Sequence, residues 1–281
     1  MTASCREARD DSTLPPAAVP YPMSDAFHGR PARTAVVVAH PDDECLWLSA
    51  LLAASDRIVF CFGAPFERPR MAAARRQAVA ALPLPRLTDL QIPESGAGFS
   101  VDWAKAQPTS AGIEITEPGP RARYEANHSR LLEQLRPVLT GYSDVCTHNP
   151  WGEYGHTEHI QVYRAVAALQ AELGYTIWFS NYVAAANWSF ARRLGRQPCW
   201  ARRLTVEPDR DTARGLMRIY QRHGAWTWTR FHRWPAHETL YAQPPAGSPE
   251  PWSSLAGEWL LDIAGLRWWP PPWRAARRYL D

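Results

Sequence analysis

In the stretch Thr34-Ala-Val-Val-Val-Ala-His-Pro-Asp-Asp-Glu44, a continuous apolar run ends abruptly in a histidine and carboxylates. A short run rich in valine predicts a strand that is buried on both faces, as is typical of parallel sheets. Buried histidine and aspartate side chains need partners, and open parallel sheets bind ligands at the carboxyl ends of their strands. The stretch therefore predicts both a sheet and the edge of it that carries chemistry.

Outward from this stretch, apolar runs alternate with helical patterns along the chain. Further strands are predicted over residues 57–62, 87–92, 143–147 and 175–179. Helices are predicted over residues 44–55, 70–82, 124–139, 160–173 and 209–222. Strands that alternate with helices indicate an α/β fold, here a Rossmann-like, mostly parallel sheet that is flanked by helices.

The two ends of the chain differ from this central part. Residues 1–30 mix Pro, Ala, Asp and Ser without a clear period, and we expect a mobile N-terminal arm. Residues 31–240 form the predicted main domain. Residues 241–281 form a C-terminal extension that is rich in Trp and Pro and ends in Trp268-Trp-Pro-Pro-Pro-Trp273. We expect this tail to pack on the domain by aromatic burial, with a stacking surface for a ring-bearing ligand as the alternative.

Composition excludes several classes of protein. The net charge of +3 is too small to indicate a nucleic-acid or membrane partner. No apolar run reaches the roughly 18 residues that a membrane-spanning helix needs. The five cysteines contain no Cys-x-x-Cys pair, and the chain starts without a signal-peptide pattern. We therefore expect a soluble protein of the cytoplasm, and the sequence leaves its oligomeric state open.

A second polar stretch, Thr147-His-Asn-Pro-Trp-Gly-Glu-Tyr-Gly-His-Thr-Glu-His159, follows the strand predicted over 143–147. Its residues can therefore meet the first stretch at the same edge of the sheet. Gly152 and Gly155 permit the unusual backbone that a loop around a site often needs. His156 and His159 are three residues apart at the start of a helix, and this spacing places both on one helix face.

Together the two stretches supply the parts of a hydrolytic metal site. His40, Asp43 and His159 are candidate ligands for zinc, and three ligands with one open position are typical of catalytic zinc. Zinc lowers the pKa of its bound water to about 7. Asp42 is the candidate general base, and His156 is the candidate group that stabilises the oxyanion and protonates the leaving amine. Iron(II) is the alternative metal.

The two stretches resemble the LmbE-like, or PIG-L-like, family of zinc-dependent N-acetylglucosaminyl deacetylases. The motifs that carry the resemblance are His-Pro-Asp-Asp-Glu and Pro-Trp-Gly-Glu-Tyr-Gly-His-x-x-His, and the resemblance covers roughly residues 33–185. It implies a Rossmann-like α/β fold and a zinc ion bound by His40, Asp43 and His159. It also implies that Asp42 is the base and His156 the acid or oxyanion-stabilising group.

The chain departs from the family at positions that shape the sugar pocket. Arg70 stands for the arginine that opens the next helix in relatives, and Glu94-Ser-Gly96 replaces a substrate-facing Asp-Gly pair. Three residues are candidate substrate contacts, namely Arg70, Trp151 and Glu153. Trp151 stacks on a sugar ring or packs over the loop, and Glu153 contacts substrate or orients a ligand.

Other motif residues have a structural and a functional interpretation. Asp42 is also a favoured type of N-cap for the helix that follows it. Glu44 interacts favourably with the helix dipole or hydrogen-bonds a ligand histidine. We expect His148 to point into the loop structure rather than towards the metal.

These residues predict hydrolysis of an N-acyl amide, with an N-acetylglucosamine-type sugar or glycoconjugate as the small-molecule substrate. The alternative within enzymes is an amidase that acts on a thiol conjugate or an antibiotic intermediate. The alternative from another class is a catalytically silent protein that binds a sugar or a metal.

Overall fold

A computed structural model describes residues 33–84, 86–98, 100–194, 202–229 and 232–248 of the protein. The predicted N-terminal arm and all but the first residues of the Trp/Pro-rich tail lie outside these ranges.

The centre of the molecule is a mostly parallel sheet of seven strands in the order β3-β2-β1-β6-β7-β9-β8. The strands from β3 to β7 along this order pair in parallel, whereas β9 pairs antiparallel with both β7 and β8. A short hairpin of β4 and β5 lies apart from the sheet. The strands are β1 (Thr34–Val38), β2 (Arg57–Phe60), β3 (Leu87–Asp89), β4 (Pro108–Thr109), β5 (Gly112–Ile113), β6 (Asp144–Thr147), β7 (Thr176–Ser180), β8 (Arg202–Val206) and β9 (Glu238–Gln243).

Helices cover both faces of the sheet, which explains why β1 is apolar at every position after Thr34. Ala35 and Val37 pack in the core beneath α3 and α4, whereas Val36 and Val38 pack in the core beneath α1, α2 and α6. The predicted α/β fold is therefore confirmed. The helices are α1 (Asp43–Trp47), α2 (Pro69–Ala81), α3 (Pro118–Leu139), α4 (Thr157–Leu173), α5 (Trp188–Leu194) and α6 (Arg210–Arg222).

Two helices differ from their predicted bounds by six residues or more. The helix predicted over 44–55 ends at Trp47, because Leu48 leaves the helical region with a φ of −139°, and a 3-10 turn follows at Ser49–Leu51. Helix α3 begins at Pro118, six residues before the predicted start, because proline is tolerated in a first turn, where its missing N–H is not needed.

The antiparallel end of the sheet is absent from the sequence prediction. Strands β8 and β9 pair with each other and extend the sheet beyond β7. The domain boundary placed at residue 240 falls inside β9, which runs to Gln243. These strands carry no strong local pattern, and long-range pairing decides their conformation.

The strand order reverses between β1 and β6, which lie side by side although the chain builds β2 and β3 between them. Val37 of β1 is in register with Thr147 of β6. The residues that follow these two strands therefore meet at one edge of the sheet, at the kind of crevice where open α/β sheets bind ligands. No described helix combines the length and the apolar character needed to cross a membrane.

Candidate metal centre

The three predicted ligands converge on one oxygen atom. Asp43 Oδ2 lies 3.2 Å from His40 Nδ1 and 3.3 Å from His159 Nε2, and all three side chains are buried. The backbone N–H of His40 also donates to Asp43 Oδ2 at 2.7 Å. Residues from the segment between β1 and α1, from the start of α1 and from the first turn of α4 therefore present two imidazole nitrogens and one carboxylate oxygen to a common point.

This donor set fits a zinc ion. Two donor atoms that bind one tetrahedral zinc ion at about 2.1 Å lie about 3.4 Å apart, close to both separations found here. His159 Nε2 is buried and has no hydrogen-bond partner among the described residues. A buried nitrogen without a donor or acceptor is costly, and a metal ion would satisfy it.

A buried glutamate lies behind each of the two candidate ligand histidines. His40 Nε2 is 3.1 Å from Glu158 Oε2, and His159 Nδ1 is 2.7 Å from Glu153 Oε2. When a carboxylate accepts the proton of one ring nitrogen, the other ring nitrogen keeps its lone pair for a metal. Glu158 was missed in the sequence, although it lies inside the motif Gly-His-Thr-Glu-His; a glutamate between two site histidines was the available signal.

Hydrogen bonds remove two further histidines from the ligand set. His148 Nε2 accepts the backbone N–H of Ala39 at 2.8 Å, and its Nδ1 faces Glu153, so no lone pair remains for a metal. His156 Nδ1 accepts the backbone N–H of Glu158 at 3.3 Å at the start of α4. The proton of a neutral His156 ring therefore lies on Nε2, which is then a donor.

Three sets of side chains among the described residues have donor atoms close enough together to hold a metal. One combines His40, His156 and His159, and another combines Asp43, His148 and His159. The hydrogen bonds of His148 and His156 leave His40, Asp43 and His159 from these two sets. The third set joins His40 with Glu94 and Glu158, whose carboxylates already accept hydrogen bonds from Arg75 and Ser95.

The electrostatic environment keeps Asp43 ionised and His156 neutral. Burial alone would raise the pKa of Asp43, but electrostatic interactions with the rings of His159, His148 and His40 lower this pKa well below its usual value. The Trp47 indole N–H also donates to Asp43 Oδ1 at 3.1 Å. Burial, followed by electrostatic interactions with His40 and His159, lowers the pKa of His156 well below its usual value. His156 is thus an N–H donor at neutral pH.

Asp42 lies beside the ligands in an unusual backbone conformation, with a φ of 110°. Its side chain makes no capping hydrogen bond to α1, so the capping interpretation of this residue is wrong. Oδ2 instead accepts the N–H and the hydroxyl of Thr227. Burial, together with the charge of Asp43, raises the pKa of Asp42 to about 6. A carboxylate with this pKa is ionised at neutral pH and accepts a proton readily.

Glu44 supports Asp42 rather than a ligand histidine. Its Oε2 accepts the backbone N–H of Asp42 at 3.0 Å, and its Oε1 accepts the hydroxyl of Tyr220 at 2.8 Å. Burial raises the pKa of Glu44 to about 8. Tyr220 and Thr227 were missed in the sequence, because they lie far along the chain and outside both motifs.

Of the three predicted substrate contacts, one is exposed on a helix and the other two are buried. Arg70 is exposed on α2, whereas Arg75 is buried and donates to Glu94 at 2.6 Å. Helix residues rotate by about 100° per step, so these two arginines point roughly 140° apart.

Trp151 is 1% exposed and donates its indole N–H to Tyr182 O, which leaves no ring face for a sugar. Glu153 bonds His148 and His159 and is buried beneath the site.

Comparisons with known proteins agree with this fold. No protein-family model and no curated protein matches the sequence. Among solved structures, the zinc-inhibited form of teicoplanin deacetylase Orf2 is similar, with a TM-score of 0.51 at 13% identity over 77% of this chain and 100% of that one. The complex of a deacetylase with bog from the teicoplanin biosynthesis pathway has a TM-score of 0.51 at 14% identity, with the same coverage. At such low identity, the structural similarity shows a shared fold and no more, and it confirms the fold that the family resemblance implies.

Proposed function

We propose that the protein is a metal-dependent N-deacetylase of the LmbE-like, PIG-L-like type. The observation that carries the proposal is the convergence of His40, Asp43 and His159 on one point, with a buried glutamate behind each histidine. Two motifs that lie more than 100 residues apart in the sequence supply these groups. A binding protein without catalysis would not need the proton-accepting and proton-donating groups that flank them.

Zinc is the metal that we propose, with iron(II) as the alternative. When bound, it supplies a Lewis acid that acidifies water and polarises the acyl carbonyl group.

The chain's own residues move the protons. Asp42 accepts a proton from the attacking water, whose oxygen forms a bond to the acyl carbon. His156 donates its Nε2–H to the carbonyl oxygen as negative charge develops there. When the carbon–nitrogen bond breaks, the nitrogen takes the proton held by Asp42, either directly or from His156, which Asp42 then reprotonates. The products are a free amine and a carboxylic acid, which releases its remaining proton to solvent, so atoms and charges balance.

The proposed substrate is an N-acetylglucosamine-type sugar or glycoconjugate. Gly98 lies beside the donor atom of His156, since a Cβ built on Gly98 would be 3.5 Å from Nε2. A residue without a side chain at this position supports access of a small acyl group to the donor.

An antibiotic intermediate is the second candidate substrate. The solved structures with this fold include a deacetylase in complex with teicoplanin, at a TM-score of 0.51 and 13% identity. The chemistry is the same, and the leaving amine differs.

Acetate release tests the proposal directly. N-acetylglucosamine, its glycosides and an N-acylated glycopeptide are offered to the wild-type protein as purified, after chelation, and after reloading with zinc or iron(II). We expect activity that chelation abolishes and metal restores.

Asp42→Asn should lower kcat at least about 100-fold, since it removes the base while an asparagine tolerates the positive φ. Asp102→Asn is the matched control, because Asp102 is exposed on a loop. Activity that survives chelation, or full activity of Asp42→Asn, contradicts the mechanism. Metal binding without turnover of any substrate would favour the silent binding protein instead.

A further inference from the structure

The carboxylate of Asp42 is held by a segment that neither motif contains. Residues 225–229, here called the site strap, follow α6 and carry Thr227, which is 185 positions from Asp42 in the sequence. We infer that Thr227 is a positioning residue that aims the Asp42 carboxylate. This inference rests on the proposed role of Asp42 as the base.

Two hydrogen bonds from Thr227 reach the same carboxylate oxygen. The Thr227 hydroxyl donates to Asp42 Oδ2 at 2.7 Å, and the Thr227 backbone N–H donates to it at 3.2 Å. Both donors occupy Oδ2, so the other oxygen, Oδ1, is the one that takes the proton from water. Hydroxyl and amide donors together fix the rotation of the carboxylate group about its terminal bond.

Asp42 needs this support from outside its own helix. A φ of 110° is unfavourable for a residue with a side chain, and such a conformation persists only where the surroundings hold it. The side chain makes no bond to the N-terminus of α1. The Glu44 carboxylate accepts the backbone N–H of Asp42, and it also accepts the hydroxyl of Tyr220 from α6. Helix α6 and the site strap thus secure the residue from two sides.

The site strap is itself anchored on the site. Ala225 is buried and its N–H bonds the Tyr220 carbonyl at 2.8 Å, where α6 ends. The Trp228 ring lies 4.9 Å from the Tyr154 ring and 5.5 Å from the Trp47 ring. The Thr227 residue is nevertheless exposed, so its hydroxyl can be removed without opening the core.

Steady-state kinetics of Thr227 variants test the inference. Thr227→Val keeps the shape and the backbone N–H but loses the hydroxyl donor, and we expect kcat to fall roughly 10-fold to 100-fold, with KM within about threefold. Thr227→Ser restores the hydroxyl and should recover activity to within about threefold of wild type. Bound metal and thermal unfolding should stay at wild-type values in both variants.

Thr140→Val is the matched control. Thr140 also has one hydroxyl hydrogen bond, to Arg136 O at 2.8 Å, but it is exposed at the end of α3, at the opposite edge of the sheet. Full activity of Thr227→Val overturns the inference. So does an equal loss in Thr227→Ser, or a loss of bound metal in Thr227→Val, because these would indicate a structural role.

Amide hydrogen exchange gives a readout that needs no substrate. We expect the peptide covering residues 225–229 to exchange faster in Asp42→Ala than in wild type, while Asp42→Asn retains protection and the peptide of β6 is unchanged. Unchanged exchange in Asp42→Ala shows that the bonds to Thr227 are absent and overturns the inference. If the wild-type protein hydrolyses none of the substrates, the proposed function fails, while the exchange result still decides these hydrogen bonds.

Discussion

The histidines of the site differ in the partner of each ring nitrogen. Glu158 and Glu153 face one nitrogen of His40 and His159, whereas backbone N–H groups bind one nitrogen of His148 and His156. A carboxylate partner favours a proton on the near nitrogen and a lone pair on the far one, and a backbone donor consumes a lone pair. The four histidines therefore differ in which ring nitrogen keeps a lone pair and which carries the proton.

Glu153→Gln should weaken metal binding by roughly 10-fold to 100-fold. The amide oxygen can still accept the backbone N–H of Asn149, but the amide nitrogen would face the ring N–H groups of two histidines. Competition with a zinc-chelating dye measures the affinity. Glu172→Gln, which removes only the exposed pair with Arg136, should bind metal like wild type. An unchanged affinity in a folded Glu153→Gln protein would contradict the orienting role.

At the scale of elements, the loop between β6 and α4 delivers the second motif. Gly152 has a φ of 72°, and a Cβ built there would lie 2.6 Å from the carbonyl oxygen of His156. A backbone atom cannot move aside as a flexible side chain can. The tight turn that brings His156 and His159 to the sheet edge therefore requires glycine at this position.

Gly152→Ala should destabilise the protein by about 3 kcal/mol or more, because positive φ and steric overlap both act. Gly174→Ala is the matched comparison, since Gly174 has a φ of 76° at the end of α4 but nothing within 4 Å of a Cβ. It should cost only about 1–2 kcal/mol. Denaturant unfolding of the two variants measures the difference. Equal losses would show that overlap with the His156 carbonyl does not matter.

At the scale of the whole molecule, β9 joins the C-terminal part of the chain to the sheet. Its first residue, Glu238, is buried, and burial raises the pKa of its carboxyl group to about 8. Oε1 accepts the hydroxyl of Tyr182, and Oε2 has no partner among the described residues. The folded protein therefore keeps Glu238 protonated at pH values where the unfolded chain has already lost this proton.

This difference makes the stability of the folded state depend on pH. The contribution of Glu238 is fully present below the unfolded pKa of about 4.5, and it is lost as the pH rises through about 8. The glutamine of Glu238→Gln cannot ionise. The free energy of unfolding of the variant minus that of wild type should therefore be larger at pH 8.5 than at pH 5. Chemical denaturation at the two pH values measures this. A constant difference between variant and wild type across this range would contradict the raised pKa.

Elements that depend on local interactions could be predicted from the sequence, whereas elements that depend on distant residues could not. The valine run of β1 predicted its strand, because burial on both faces leaves a local pattern. The first six residues of α3 escaped prediction, because proline at a helix start and proline in a loop look alike in sequence. Strands β8 and β9 escaped prediction, since their pairing with β7 is decided by distant residues.

The parallel sheet and the candidate ligands His40, Asp43 and His159 could be predicted from the amino-acid sequence, because each motif is short and follows a strand that is visible in the pattern. The atoms that these candidate ligands present become clear in the folded protein, since each tautomer depends on glutamates and backbone groups brought together by folding. Folding also places Arg70 at the surface and Arg75 against Glu94. It brings Thr227 into hydrogen-bond contact with Asp42, and Tyr220 into hydrogen-bond contact with Glu44. Such contacts escape sequence prediction because side-chain direction and long-range hydrogen bonds leave no periodic pattern in the sequence.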